Sequence, residues 1–167
     1  MLGAIIAVQG AASVSANHLE HLLRLLTPLT DEVALVGGTE LGSQHRLIRA
    51  PRGMSELAAV AEVLTHAGAD HALIVAADLK WPSPELLHYL VLIRAGHEAV
   101  VPEGPDGTLQ PMLALYHGRI AARARGLVSA GERELVALLE GLTVRRVTVD
   151  EVAKFGDPKR LLQRGPI

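Results

Sequence analysis

The stretch DHALIVAAD, residues 70–78, decides the fold. Its six consecutive apolar residues, 72–77, are typical of a β-strand that is buried on both faces. Two helix-like stretches surround it, MSELAAVAEVLTHAG at 54–68 and SPELLHYLVLIRAG at 83–96. A buried strand between two helices predicts a parallel sheet that carries helices on both faces.

The same alternation of strand and helix continues in both directions along the chain. Further strands are predicted in GAIIAV (3–8), DEVALVGG (31–38), HRLIRA (45–50), EAVVP (98–102), MLALYH (112–117) and TVRRVTV (143–149). Further helices are predicted in NHLEHLLRLLTPL (17–29), GRIAARARGLVSA (118–130), ERELVALLEGL (132–142) and DPKRLLQR (157–164). No linker or repeat interrupts them, so we expect one α/β domain over residues 1–167 with a mostly parallel sheet.

Composition narrows the classes of function. The net charge of −2 argues against nucleic acid and anionic membrane surfaces as main partners. No apolar run reaches the roughly 20 residues of a membrane span. The absence of cysteine excludes disulfides, thiolate metal sites and cysteine nucleophiles, and it fits a cytoplasmic location. We therefore expect a cytoplasmic protein whose main partner is neither nucleic acid nor a membrane surface.

Asp78 is the first candidate for a functional residue. Ligands of parallel α/β sheets bind at the carboxyl ends of the strands, and Asp78 directly follows the buried strand. Its carboxylate, with Lys80 and Trp81 next in sequence, suits a divalent cation and substrate phosphates. On the residue pattern alone, capping of the following turn or helix is the favoured explanation of an aspartate there. The residue pattern leaves both interpretations open.

Three stretches in order resemble the molybdenum cofactor guanylyltransferase family. They are LIVAADLKWPSPELLHYL (73–90), AVVPEGPDGTLQPMLALYHGRI (99–120) and AGERELVALLEGLTVRRVTVDEVAKF (130–155). The resemblance implies a Rossmann-like three-layer α/β/α sandwich of the nucleotidyltransferase type. It also implies a reaction in which GMP passes from GTP to molybdopterin, with magnesium as cofactor and pyrophosphate as product.

The resemblance also implies binding roles for particular residues, and it leaves the catalytic residues unidentified. By position in the family motifs, the metal ligands are Asp78 and Asp157, and Asp157 is explained equally well as a helix cap. The acceptor side includes Gln110 and Pro111. The expected nucleotide-binding residues are Gln9, Gly10, Arg52 and Gly53.

The first loop departs from the family pattern. Family members carry several glycines, an arginine and a lysine there, whereas AVQGAASVSANHLEHLL (7–23) contains Gly10 alone and no basic residue before Arg24. Asn17 is predicted to cap the first helix, which places His18 and His21 on its exposed surface. Because nucleotidyl transfer depends on positioned positive charge, the sequence predicts weak activity. The alternative is a catalytically inactive relative that binds a pterin or nucleotide, or docks on a partner in molybdoenzyme maturation.

Overall fold

In the computed structural model the described residues are 1–7, 14–37, 46–49, 53–68 and 70–165. The strands are β1 (Leu2–Ile6), β2 (Glu32–Val36), β3 (Arg46–Ile48), β4 (His71–Ala76), β5 (Ala99–Pro102), β6 (Leu113–His117) and β7 (Val144–Val147). The α-helices are α1 (Ala16–Leu26), α2 (Glu56–Ala67), α3 (Pro84–Leu92), α4 (Ala121–Ser129), α5 (Val149–Val152) and α6 (Pro158–Leu161). Short 3₁₀ turns cover Thr27–Leu29, Gly118–Ile120, Leu135–Leu139 and Ala153–Phe155.

The strands form one sheet in the order β3-β2-β1-β4-β6-β5-β7. β6 runs antiparallel to both of its neighbours, and the other pairings are parallel. One apolar cluster, on one side of the sheet, includes α2 and α4 residues, and the other includes residues of α1 and α3. The predicted α/β architecture with a mostly parallel sheet covered on both faces is confirmed.

The buried strand predicted within residues 70–78 is β4. Its residues 72–76 are at most 1% exposed. β1 pairs with it on one side and β6 on the other, so its backbone groups are satisfied without water. β4 therefore lies at the middle of the sheet, and each of its ends is flanked by β1 on one side and β6 on the other.

Local signals misplaced three helix boundaries. Ser15, and not Asn17, caps α1, because its hydroxyl accepts the N–H of His18 at 3.3 Å. The stretch predicted as a helix at 132–142 forms a 3₁₀ turn over Leu135–Leu139, which is followed by Gly141 at a φ of 72°. The terminal helix predicted over 157–164 is the four-residue α6. In each case the local pattern indicated that an element is present, but spacing alone did not fix its bounds or its type.

Gly118 allows a close approach that no other residue permits. A Cβ built there would lie 2.0 Å from the carbonyl oxygen of Gly68 and 2.7 Å from that of Asp70.

We predict that Gly118→Ala lowers the free energy of unfolding by about 2 kcal/mol or more, because backbone has to move. Gly126→Ala is the matched control, since Gly126 lies in α4 with nothing within 4 Å of its built Cβ. That change is expected to be neutral or to stabilise by up to about 1 kcal/mol. Urea unfolding measures both, and equal effects would contradict the prediction.

Candidate nucleotide site

The carboxyl end of β4 gathers residues from three parts of the chain. The N–H of Ala77 donates to the carbonyl of Ile6 at the end of β1, at 2.9 Å. The N–H of Ala76 donates to the carbonyl of Met112, just before β6, at 2.8 Å. Because β6 is antiparallel to β4, the residues that precede β6 lie at the edge where Asp78 follows β4. We call this boundary the Asp78 edge.

Arg164 is the direct partner of Asp78. Its Nε donates to Oδ1 of Asp78 at 2.8 Å, and its Nη2 donates to Oε1 of Glu56 at 2.8 Å. Burial opposes the charge of Arg164 most strongly, but the bonds to the two carboxylates outweigh it and raise the pKa of the guanidinium. A positive charge therefore already stands beside the carboxylate predicted to bind metal.

The segment that carries Arg164 lies along the turn after β4. The N–H of Lys80 donates to the carbonyl of Gln163 at 2.9 Å, and the N–H of Gly165 donates to that of Asp78 at 3.1 Å. The guanidinium of Arg160 stacks 4.3 Å above the ring of Trp81, which explains this exposed tryptophan through a cation–π contact. The sequence reading missed Arg164, because no motif spacing connects it to residue 78.

The start of α2 reaches the same edge. Ser55 caps α2 by accepting the N–H of Ala58 at 3.2 Å, and the first helical residue is Glu56, the second carboxylate partner of Arg164. Gly53 precedes this cap at a φ of 80°, a conformation that favours glycine, and its carbonyl accepts a bond from Arg133 at 3.1 Å. Gly53 lies three residues before Glu56, which reaches the Asp78 edge through Arg164. Its contact with nucleotide stays a prediction.

Gln110 and Pro111 lie in the turn that leads into β6. The N–H of Gln110 donates to the carbonyl of Pro102 at 2.8 Å, and its side-chain amide lies 3.3 Å from the hydroxyl of Thr108. The carbonyl of Pro111 accepts the hydroxyl of buried Tyr116 at 2.8 Å. Burial raises the pKa of Tyr116, and the negative charge of Glu56 adds to the effect. These bonds hold the turn in place, and the side chain of Gln110 remains partly exposed.

Asp157 serves as the cap of α6. Its carboxylate accepts the N–H of Lys159 at 3.0 Å, and the backbone is extended at this residue. The capping interpretation therefore describes its contacts here, and its role as a second metal ligand stays a prediction. The described ranges contain no group of three histidine, aspartate or glutamate residues arranged to hold a metal ion.

Magnesium fits the donor chemistry of this edge but meets a competitor. The ion prefers carboxylate oxygens, and it is commonly held by one or two carboxylates together with substrate phosphates. Asp78 offers such a carboxylate and is about one-third exposed, but Arg164 occupies its Oδ1. A cation that reaches Asp78 has to share the carboxylate with the guanidinium or displace it.

Other expected site residues are only partly covered by the structure. Gln9, Gly10 and Arg52 lie outside the described residues. His21 is exposed as predicted, whereas His18 is only partly exposed, which corrects the prediction for that residue. Burial lowers the pKa of His18, with an opposing contribution from the backbone of Leu79, so α1 begins close to the turn after β4. No helix among the described residues is long and apolar enough to cross a bilayer.

Open α/β sheets bind their ligands at the carboxyl ends of the strands, so the edge that holds Asp78, Lys80 and Arg164 is the candidate ligand site of this protein. The family model described as the MobA-like NTP transferase domain matches residues 11–149, and the chain belongs to this family. The resemblance inferred from the sequence motifs is thereby confirmed.

Individual relatives agree with this family. A protein of Bacillus cereus strain AH820, named a probable molybdenum cofactor guanylyltransferase, is 26% identical over 156 residues, which cover 85% of this chain and 76% of the relative. The structure of molybdopterin-guanine dinucleotide biosynthesis protein A from Archaeoglobus fulgidus matches with a TM-score of 0.76 at 22% identity, covering 100% of this chain and 92% of that one. A 2-C-methyl-D-erythritol 4-phosphate cytidylyltransferase from Thermus thermophilus matches with a TM-score of 0.65 at 17% identity, covering 87% of each chain. At these identities the solved structures establish the fold, which is that of the nucleotidyltransferases.

We predict that Arg164→Gln loosens the segment from Asp157 to Gly165. Two charge-assisted bonds of partly buried groups are lost and two carboxylates are left without their cation, so the free energy of unfolding falls by about 1–2 kcal/mol. Hydrogen exchange of the amides of Lys80 and Gly165 should accelerate, because their hydrogen bonds to the carbonyls of Gln163 and Asp78 open together.

Arg46→Gln is the matched control for Arg164→Gln. Arg46 pairs with Glu32 at 2.9 Å, but both side chains are well exposed, at 42% and 45%. Such a pair contributes about 0.5 kcal/mol or less. Equal losses in the two variants, or unchanged amide exchange in Arg164→Gln, would show that Arg164 does not hold the segment in place.

Proposed function

We propose that this protein transfers GMP from GTP to molybdopterin, slowly compared with family members that carry a basic first loop. The observation that carries the proposal is the Asp78 edge of a MobA-like NTP transferase, where Asp78, the start of α2 and the turn before β6 come together. The names of the relatives supply the substrate class, and the arrangement of this edge suits a nucleotide on one side and an acceptor on the other.

The proposed roles follow from position. By their place in the family motifs, Gln9, Gly10, Arg52 and Gly53 contact the nucleotide, and Gln110 with Pro111 forms part of the acceptor side. Bonds to Tyr116 and Pro102 hold that turn in place. In the reaction, an acceptor phosphate oxygen bonds to the α-phosphorus of GTP while the bond to pyrophosphate breaks. These residues hold the two reactants in line, which is the main task of a protein in such a transfer.

Asp78 is the proposed ligand for magnesium, with Asp157 as a second candidate. When bound, magnesium neutralises phosphate charge as pyrophosphate leaves. Arg164 competes for Asp78, so its release from Asp78 is part of the proposed binding of nucleotide. The low rate follows from the first loop, because each missing preorganised charge commonly costs about 10²–10³ in rate.

The contact between Asp78 and Arg164 favours a second candidate function. With the carboxylate neutralised by a guanidinium inside the chain, the protein would bind a pterin or nucleotide without turning it over, and would act as a carrier or dock on a molybdoenzyme maturation partner. This candidate predicts nucleotide or pterin binding that does not depend on magnesium. The proposed cytoplasmic location is the same for both functions.

Calorimetry with GTP, in the presence and absence of magnesium, separates the two functions, with CTP and ATP as controls. For the slow transferase we expect magnesium-dependent binding of GTP that disappears in Asp78→Ala and tightens in Arg164→Gln, because that change removes the competing cation. Molybdopterin guanylylation, followed as release of pyrophosphate, should be measurable and weak.

Other outcomes would contradict the transferase function or its proposed low rate. Binding of GTP without magnesium and without release of pyrophosphate would favour the carrier function. Absence of any detectable binding of GTP, CTP or ATP would contradict the transferase function. Rates equal to those of family members with a basic loop would show that the missing charges are supplied elsewhere.

A further inference from the structure

A cavity of about 400 Å³ lies at the edge of the sheet opposite Asp78. Its polar lining consists of three histidines and two arginines, His71, His97, His117, Arg94 and Arg119. This edge is formed where β4 begins and β6 ends. The cavity is therefore separate from the candidate nucleotide site, and its basic lining has no role in the proposed transfer.

The sheet register brings the histidines together. His71, the first residue of β4, is paired with His117, the last residue of β6, and their rings lie 4.6 Å apart. Gly96, at a φ of 78°, turns the chain between α3 and β5 and places Arg94 and His97 on the same cavity. Arg119 follows in the 3₁₀ turn after β6.

The cavity holds positive charge that the described part of the chain does not neutralise. Arg119 pairs with Glu98 at 3.3 Å, and the other Glu98 oxygen accepts the N–H of Thr143 at 2.9 Å. Arg94 donates to the carbonyl of Val91 at 2.6 Å and has no carboxylate within ion-pair distance among residues 70–165 or the other described ranges. Nδ1 of His97 is buried and has no hydrogen-bond partner within the same ranges. Arg94 is thus the cation of the cavity lining that remains available to a ligand.

The protonation of the histidines suits an anion. The N–H of Arg119 donates to Nδ1 of His117 at 3.2 Å, so the neutral ring of His117 carries its proton on Nε2. Burial lowers the pKa of His71; Asp70 opposes this effect, while repulsion by Arg94, and by His117 when its ring is protonated, adds to it. The other charged or titratable groups of the cavity are Arg119, Glu98 and His97. A bound anion would reverse the repulsion and raise the pKa of His71, so binding must tighten as the pH falls.

We propose that this cavity binds a small phosphate-bearing anion, with Arg94 as its main charge partner and the histidines as hydrogen-bond donors. A guanidinium beside imidazole donors matches the oxygens of a phosphate. The volume leaves room for a small organic group attached to the phosphate. The three histidines do not form a metal site, since the described residues include no group of three metal-binding side chains in suitable positions. The proposal does not depend on the transfer reaction.

The test is calorimetry of the whole chain with inorganic phosphate and with pyrophosphate, accompanied by NMR of the histidine rings. Inorganic phosphate tests for the phosphate group alone, and pyrophosphate for a ligand with two phosphoryl groups. We expect binding that weakens about tenfold or more in Arg94→Gln and is partly retained in Arg94→Lys. The ring signals of His71 and His117 should shift, which distinguishes this cavity from phosphate bound at the Asp78 edge. With sulfate, whose charge is constant in this range, binding should be tighter at about pH 6 than at about pH 8.

Arg125→Gln is the control, because Arg125 is an exposed arginine of α4 outside the cavity lining. It removes the same charge and should leave the affinity unchanged. Equal weakening in Arg125→Gln and Arg94→Gln would reduce the effect to general charge attraction and overturn the proposal. Unshifted His71 and His117 signals, or absence of binding at millimolar phosphate, would overturn it as well. Circular dichroism confirms that each variant is folded before titration.

Discussion

The pairing of β4 with β1 and β6 is the constraint on which the rest of the structure depends. β4 is apolar and buried on both faces. Its backbone N–H and C=O groups are therefore out of reach of water, so both of its edges must be paired inside the sheet. β1 runs parallel to it and β6 runs against it. This single reversal places the start of β6 beside the end of β4, and the end of β6 beside the start of β4. It therefore builds the Asp78 edge with Gln110 and Pro111 at one boundary, and the pairing of His71 with His117 at the other.

Sequence reasoning could predict the parts of the molecule that depend on local pattern. The run at 70–78 forms the buried strand as expected, the alternation of elements forms the predicted sheet, and the family motifs identify the family. The position of Asp78 at a strand end also follows from its place after that run. Burial on both faces leaves a strong signature in a sequence, because the buried residues of such a strand form an uninterrupted apolar run, here residues 72–76.

Long-range contacts between polar residues left no such signature. Arg164 reads as one more charged residue near the end of a helix, and only the folded chain brings it across 86 positions to Asp78. Asp157 and Ser15 illustrate a related limit, since a short polar side chain before a helix suits a cap, a ligand or neither. The cavity lined by His71, His97 and His117 left no signature in the sequence either. Its lining residues come from β4, β6 and the turn between α3 and β5, which are far apart along the chain.

Arg164 also changes how the missing charges of the first loop should be weighed. The sequence alone suggests an edge with little positive charge, but the fold brings Arg164 to it and places Lys80 beside Gly165. Arg164 is already bonded to two carboxylates, so its charge is largely neutralised by Asp78 and Glu56. A triphosphate would gain that charge only by separating the guanidinium from Asp78, and the same separation would free the carboxylate for a metal. In the proposed transfer, this one contact would therefore control both electrostatic requirements, so a basic side chain held in this place would not replace the basic residues of a family loop.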